Sequence, residues 1–151
     1  MTKATDQREL ALITGASSGM GTEFARLLAA RGYDLVLTAR RTDRLLALKT
    51  ELETAARVRV EVVPADLGVP GGAESLIERV EALGRPVAFL VNNAGFGVHG
   101  DFLENDAARV AQMIQLNLVA LTTLTWHFGR AMQARGAGRV LQVSSIAAYQ
   151  P

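Results

Sequence analysis

Leu10-Ala11-Leu12-Ile13-Thr14-Gly15-Ala16-Ser17-Ser18-Gly19-Met20-Gly21 is the stretch on which the fold turns. It opens as a short apolar run of strand character and closes as a glycine-rich turn. Phe24, Leu27 and Leu28 then recur at helical spacing. A strand that feeds a helix through such a turn is built to meet a phosphate. Glycine allows the tight turn and the close approach of backbone to a pyrophosphate, and the helix N-terminus offers free N–H groups and a positive dipole end. Ser17 and Ser18 can add hydroxyl donors. The candidate cradle is therefore Gly15, Ser17, Ser18, Gly19, Met20 and Gly21. Three residues separate its first two glycines, a wider spacing than in the G-x-G-x-x-G dinucleotide fingerprint.

Outward from this turn, short apolar runs alternate with segments of helical period. Residues 10–14, 34–39, 58–63, 87–92 and 139–144 read as strands, and their mostly continuous apolar character predicts cover on both faces. Leu45, Leu48 and Leu52 form a helical stripe with Thr42 or Asp43 as N-cap. Ala73, Leu76, Ile77, Val80 and Leu83 form another, stopped by Gly84. Residues 106–135 read as one long helix with Val110, Ile114, Leu118, Leu121, Phe128 and Met132 on its apolar face. This alternation predicts an α/β fold: a Rossmann-type doubly wound parallel sheet in three layers, one nucleotide-binding domain over residues 1–151, cut off after its fifth strand.

Composition excludes several functions. Net charge is +1 with the arginines spread along the chain, which gives no footprint for nucleic acid. There is no cysteine, and His99 and His127 are too far apart for a local ligand pair, so no metal site is expected. The polar start and the lack of a spanning apolar run predict a cytoplasmic protein with no membrane partner.

Four further motifs follow in order. Asp66-Leu67 comes after the third strand and Asn92-Asn93-Ala94-Gly95 ends the fourth. Asn117 sits as an amide on the stripe of the long helix, and Val143-Ser144-Ser145 closes the fifth strand. Asp66, Asn92 and Ser145 thus stand near the carboxyl ends of strands, where open parallel sheets bind ligands. With T-G-x-x-x-G-x-G at residues 14–21, the set resembles the short-chain dehydrogenases/reductases over essentially the whole chain.

The resemblance implies an oxidoreductase that interconverts a carbonyl and a secondary alcohol on a small-molecule substrate. It implies cofactor contacts at Asp66, Leu67, Asn92, Asn93, Ala94 and Gly95, catalytic Ser145, and an Asn117 that holds a proton-relay water. It also implies a homo-oligomer paired through helix 106–135. Where an NAD-binding unit carries an acid at the end of its second strand, this chain reads Leu37-Thr38-Ala39-Arg40-Arg41. A guanidinium suits a phosphate by charge and by its forked donors, so Arg40 and Arg41 favour NADP over NAD.

The family's catalytic Tyr, and a Lys four residues beyond it, arrive about thirteen residues after the Ser. Tyr149 follows Ser145 too closely and has only Gln150 and Pro151 behind it; Tyr33, Lys3 and Lys49 are remote in sequence. The chain alone is therefore expected to be inactive. The competing readings are a non-catalytic nucleotide-binding module and a truncated fragment. His99 is expected to be an ordinary exposed side chain near the pocket.

Overall fold

The computed structural model describes residues 8–145. Five strands, β1 (Leu10–Thr14), β2 (Asp34–Thr38), β3 (Val60–Val62), β4 (Val87–Asn92) and β5 (Arg139–Gln142), form one sheet in the order β3-β2-β1-β4-β5. All neighbours are parallel. The doubly wound α/β architecture is the one the alternation predicts. β1 and β4 match their predicted bounds residue for residue, whereas β2, β3 and β5 are shorter. Val58 and Val63 are buried outside β3, because only Val60–Val62 pairs with Leu35–Leu37.

Successive strand residues point to opposite faces, and the core accordingly divides in two. Ile13, Leu35 and Leu37 pack under α1 (Gly19–Ala30) and α2 (Thr42–Ala56), with Ala25, Leu28, Leu45 and Leu48. Leu12, Val36 and Leu90 face the other way, toward Leu76 and Val80 of α3 (Gly72–Glu81) and toward Leu124 and Phe128. β1 and β2 are buried throughout. β5 departs from the expectation of two covered faces: Arg139, Val140 and Gln142 are exposed, as suits a strand that pairs with β4 on one side among the described residues. At the amino end of the sheet, buried Asp34 is matched by the Arg59 N–H at 2.8 Å and the Arg85 guanidinium at 2.9 Å, which offsets the cost of burying its charge.

Two helix expectations are corrected. α2 begins at Thr42 itself with Arg41 in the N-cap position, and no side chain caps it. Thr42 and Asp43 lie inside the first turn, where the Asp43 carboxylate still suits the dipole. The long helix is α4 (Ala107–Ile114) and α5 (Leu121–Arg135) joined by a π-helical turn, Gln115–Ala120. The wider turn shifts the helical phase, so the stripe extrapolated at 3.6 residues per turn leaves the core before and within that turn. Ile114 and Leu118 are exposed, whereas Phe128 and Met132 are buried as predicted, and Ala120 and Leu124 join them.

Candidate nucleotide site

β1 pairs with β2 on one side and β4 on the other, so the strand order reverses at β1. A crevice opens there at the carboxyl ends, where open α/β sheets bind ligands. Thr14 holds its two walls together. Its buried Oγ1 accepts the Asn93 N–H at 3.0 Å and the Ala94 N–H at 2.9 Å, and its hydroxyl donates to the Val91 carbonyl at 3.3 Å. The Asn93 amide returns a bond to the Thr14 carbonyl at 3.0 Å and reaches the Gly15 carbonyl at 3.3 Å.

The glycines serve different needs. A Cβ on Gly15 would lie 2.9 Å from the Ala94 Cα, and one on Gly21 would lie 2.2 Å from the Gly15 carbonyl oxygen. Both are demanded by packing of the turn against itself and against the end of β4. Gly19 has φ +56° and open space where a Cβ would be, so it is the one whose backbone conformation and free approach both matter.

The cleft has a volume of about 340 Å³. Of the residues singled out from sequence, Gly15, Ser17, Ser18, Met20, Arg40, Arg41, Asp66, Leu67, Asn93, Ala94 and Gly95 line it. Gly19 belongs to the same turn, and Gly21 is buried behind it. Asp66 folds its Oδ1 onto the Gly68 N–H at 2.9 Å, which orients the loop after β3. Arg41 reaches across the mouth: Nη2 donates to Ser18 Oγ at 2.7 Å and to Ser17 Oγ at 3.1 Å, with Nε 3.3 Å from Ser17 Oγ. Ser18 is the N-cap of α1, yet its side chain makes no cap bond to the helix.

Three residues stand elsewhere. The Asn92 side chain is buried on the α5 side and donates to Thr125 Oγ1 at 2.9 Å, so it braces β4 against α5 and does not line the cleft. Asn117, in the π turn, grips the loop after β4: its Oδ1 accepts the Phe96 N–H at 3.2 Å and its Nδ2 donates to the Phe96 carbonyl at 2.9 Å. Ser145 is exposed, three residues past β5, and is not among the lining residues. Tyr149 lies outside the described residues.

Phe96 lines the cleft, as expected of the segment 95–100 that follows β4, and it is joined there by Gln112 and Leu116, which sequence reasoning missed. Gln112 and Leu116 are four apart across the α4–π junction, a signal that helical periodicity contains. The Arg109 guanidinium stacks 3.8 Å from the Phe96 ring centroid and backs this wall. Among the described residues no three His, Asp or Glu side chains gather as a metal site, and no helix is long and apolar enough to cross a membrane.

Fold and cleft define a nucleotide-binding α/β protein, and comparison with known proteins says which. Residues 9–151 match the short chain dehydrogenase family, and the chain belongs to it. It is 38% identical over 138 residues to a galactitol 2-dehydrogenase (L-tagatose-forming) of Cereibacter sphaeroides, covering 90% of this chain and 52% of the relative. A short-chain dehydrogenase from Sphingobium yanoikuyae, solved in complex with NADPH, superposes with a TM-score of 0.88 at 36% identity, over 95% of this chain and 56% of that one. L-sorbose reductase from Gluconobacter frateurii, complexed with NADPH and L-sorbose, does so with 0.88 at 34% identity, over 96% and 55%. The chain thus spans about half the length of these relatives.

Proposed function

We propose that the chain is the cofactor-binding portion of an NADP(H)-dependent oxidoreductase that interconverts a carbonyl and a secondary alcohol. The observation that carries this reading is the facing of a helix N-terminus without a side-chain cap and Arg41 across one cleft at the strand reversal. The residues fit the cofactor's parts. The turn and the first N–H groups of α1 suit a pyrophosphate. The Asp66-Leu67 loop suits the adenine. Arg40 and Arg41 suit a 2′-phosphate where an acid would have favoured the free ribose hydroxyls. The two solved relatives that hold NADPH support the same cofactor.

When bound, the cofactor donates or accepts the hydride at the substrate carbon. Asn93, Ala94 and Gly95 form the floor beneath it, and Asn117 fixes that floor through Phe96. Asn117 keeps one amide hydrogen for a relay water, because the other is given to the Phe96 carbonyl. Ser145 hydrogen-bonds the substrate oxygen. NADPH and NADH are titrated separately into residues 1–151. The expected result is one site with NADPH bound roughly ten- to a hundredfold more tightly, the range of one charged hydrogen bond. Equal affinities would overturn the cofactor assignment.

Self-association belongs to the same reading. Leu118, Val119 and Trp126 project from the outer face of the π turn and α5 and line an apolar groove of about 490 Å³, a patch of the kind that marks association. A second copy paired along this ridge should give concentration-dependent sedimentation that Leu118→Glu abolishes. A monomer boundary independent of concentration in the parent chain would remove the proposal.

A further inference from the structure

The sheet ends on one side at β3, and an edge strand presents backbone groups that another strand can join. Pairing with β2 uses alternate residues of this strand. The Leu35 N–H donates to the Arg59 carbonyl at 2.8 Å and the Val63 N–H to the Leu37 carbonyl at 3.0 Å. Arg59, Glu61 and Val63 therefore bond β2, and Val60, Val62 and Pro64 turn their backbone outward. Two of these three outward positions are closed. The Val60 N–H donates to Glu53 Oε1 at 3.1 Å, and the Val60 carbonyl accepts from Lys49 Nζ. Lys49 and Glu53 are one turn apart on α2 and are themselves paired at 3.0 Å, so one ion pair occupies both the donor and the acceptor of a single strand residue. Pro64 has no N–H to offer, and its carbonyl accepts from the Arg79 guanidinium on α3. These side chains reach the edge from opposite faces of the sheet, since α2 packs on one core and α3 on the other.

We propose that Lys49, Glu53 and Arg79 close the outer edge of β3 against strand addition, and that the partner they exclude is the same edge of a second copy of this chain. A twofold axis across that edge sets two β3 strands antiparallel, which makes identical edges self-complementary. Such a join needs free N–H and C=O groups on successive outward residues. Of the three outward residues only Val62 keeps both groups clear of side chains among the described residues, and it stands between closed Val60 and closed Pro64. One donor and one acceptor are too few to offset the ordering of two chains. Helix stability does not account for the Lys49–Glu53 pair. Lysine preceding glutamate by four residues is the weaker of the two orders on a helix, and both heads also leave the helix to reach Val60. The strand itself makes closure necessary: Val58, Val60, Val62 and Val63 are β-branched residues that favour strand pairing.

The test uses residues 1–151 carrying Leu118→Glu, which keeps the ridge of α5 out of the readout, and Glu61→Cys. The chain has no cysteine, so this thiol takes a single nitroxide label. Glu61 is exposed on β3, and labels on two copies joined at this edge come close enough to couple. The expected result is no coupling between molecules in this background, and coupling that grows with concentration once Lys49→Ala and Glu53→Ala are added together. Glu53→Gln keeps an oxygen for the Val60 N–H and should remain uncoupled, which separates closure of the backbone from loss of charge. Thermal unfolding, run alongside, shows which variants are folded. A folded Lys49→Ala/Glu53→Ala variant without coupling, or coupling already present with both residues intact, would overturn the proposal. Coupling in Glu53→Gln equal to that of the double variant would overturn the role given to the backbone bonds. If the double variant does not fold, amide hydrogen exchange in the parent chain decides. Exchange at Val60 slower than at Val62 by roughly two- to tenfold, the range of one net hydrogen bond, supports closure, and equal rates overturn it.

Discussion

Residues 1–151, assayed alone with NADPH and a panel of ketones and aldehydes, are expected to oxidise the cofactor no faster than buffer does. Hydride addition to a carbonyl leaves an alkoxide that must be protonated as it forms, and general acid help is worth roughly 10²–10⁴-fold. Ser145 can hydrogen-bond the oxygen but is too weak an acid to supply the proton. Tyr33 stands before β2, at the amino end of the sheet, where its hydroxyl accepts from Arg139 at 2.7 Å; the cleft is at the other end. Lys49 is spent on Glu53 at 3.0 Å and on the Val60 carbonyl. No arginine substitutes, since a guanidinium stays protonated. A longer chain carrying a Tyr-x-x-x-Lys segment downstream should turn over. Clear turnover by residues 1–151 that Ser145→Ala abolishes would mean the chemistry is done by other groups than those named.

The second large effect is on stability. Thr14→Val should cost about 2–4 kcal/mol, because the Asn93 and Ala94 N–H groups both bond Oγ1 and each buried donor left unpaired costs roughly 1–3 kcal/mol. Valine keeps the β-branched shape, so neither cavity nor strand preference enters the difference. Asn93 and Ala94 are half-buried, and water reaching them would hold the loss to the lower part of that range. Urea unfolding should show a lower midpoint with an unchanged slope, and Thr14→Ser should recover most of the loss. A Thr14→Val change under about 0.5 kcal/mol would show that the switch point is held by the Asn93 amide instead.

Much of this was legible from residues alone, for identifiable reasons. β1 and β4 are continuous apolar runs closed by Thr14 and by Asn92, so pattern and burial share the same ends. The cleft positions followed from the strand, turn and helix order, which fixes where a parallel sheet opens. What escaped depended on distant partners. The stripe of helix 106–135 assumed an unbroken α-helix, whereas the π turn at Gln115–Ala120 moves the buried phase to Ala120 and Leu124. The cap of α2 was sought in Thr42 and Asp43, because nothing local reveals that Arg41 is drawn to Ser17 and Ser18. Asn92 and Asn93 were placed together in the cofactor site, although strand alternation puts Asn92 on the side of Leu90, facing Thr125. A strand period of two separates the side chains of neighbouring Asn92 and Asn93, whereas the motif Asn92-Asn93-Ala94-Gly95 joins them.

The central claim is that the crevice at the carboxyl ends of β1, β2 and β4 holds the phosphorylated dinucleotide. Amide-resolved NMR during the NADPH titration tests it most directly. Perturbations are expected to concentrate at Gly15 to Gly21, Arg40, Arg41, Asp66, Leu67 and Asn93 to Phe96, with little change at Arg59, Arg85 and Arg139 at the amino ends of the strands. Perturbations centred on those amino ends, or on the ridge of Leu118 and Trp126, with the glycine-rich turn unmoved, would contradict it.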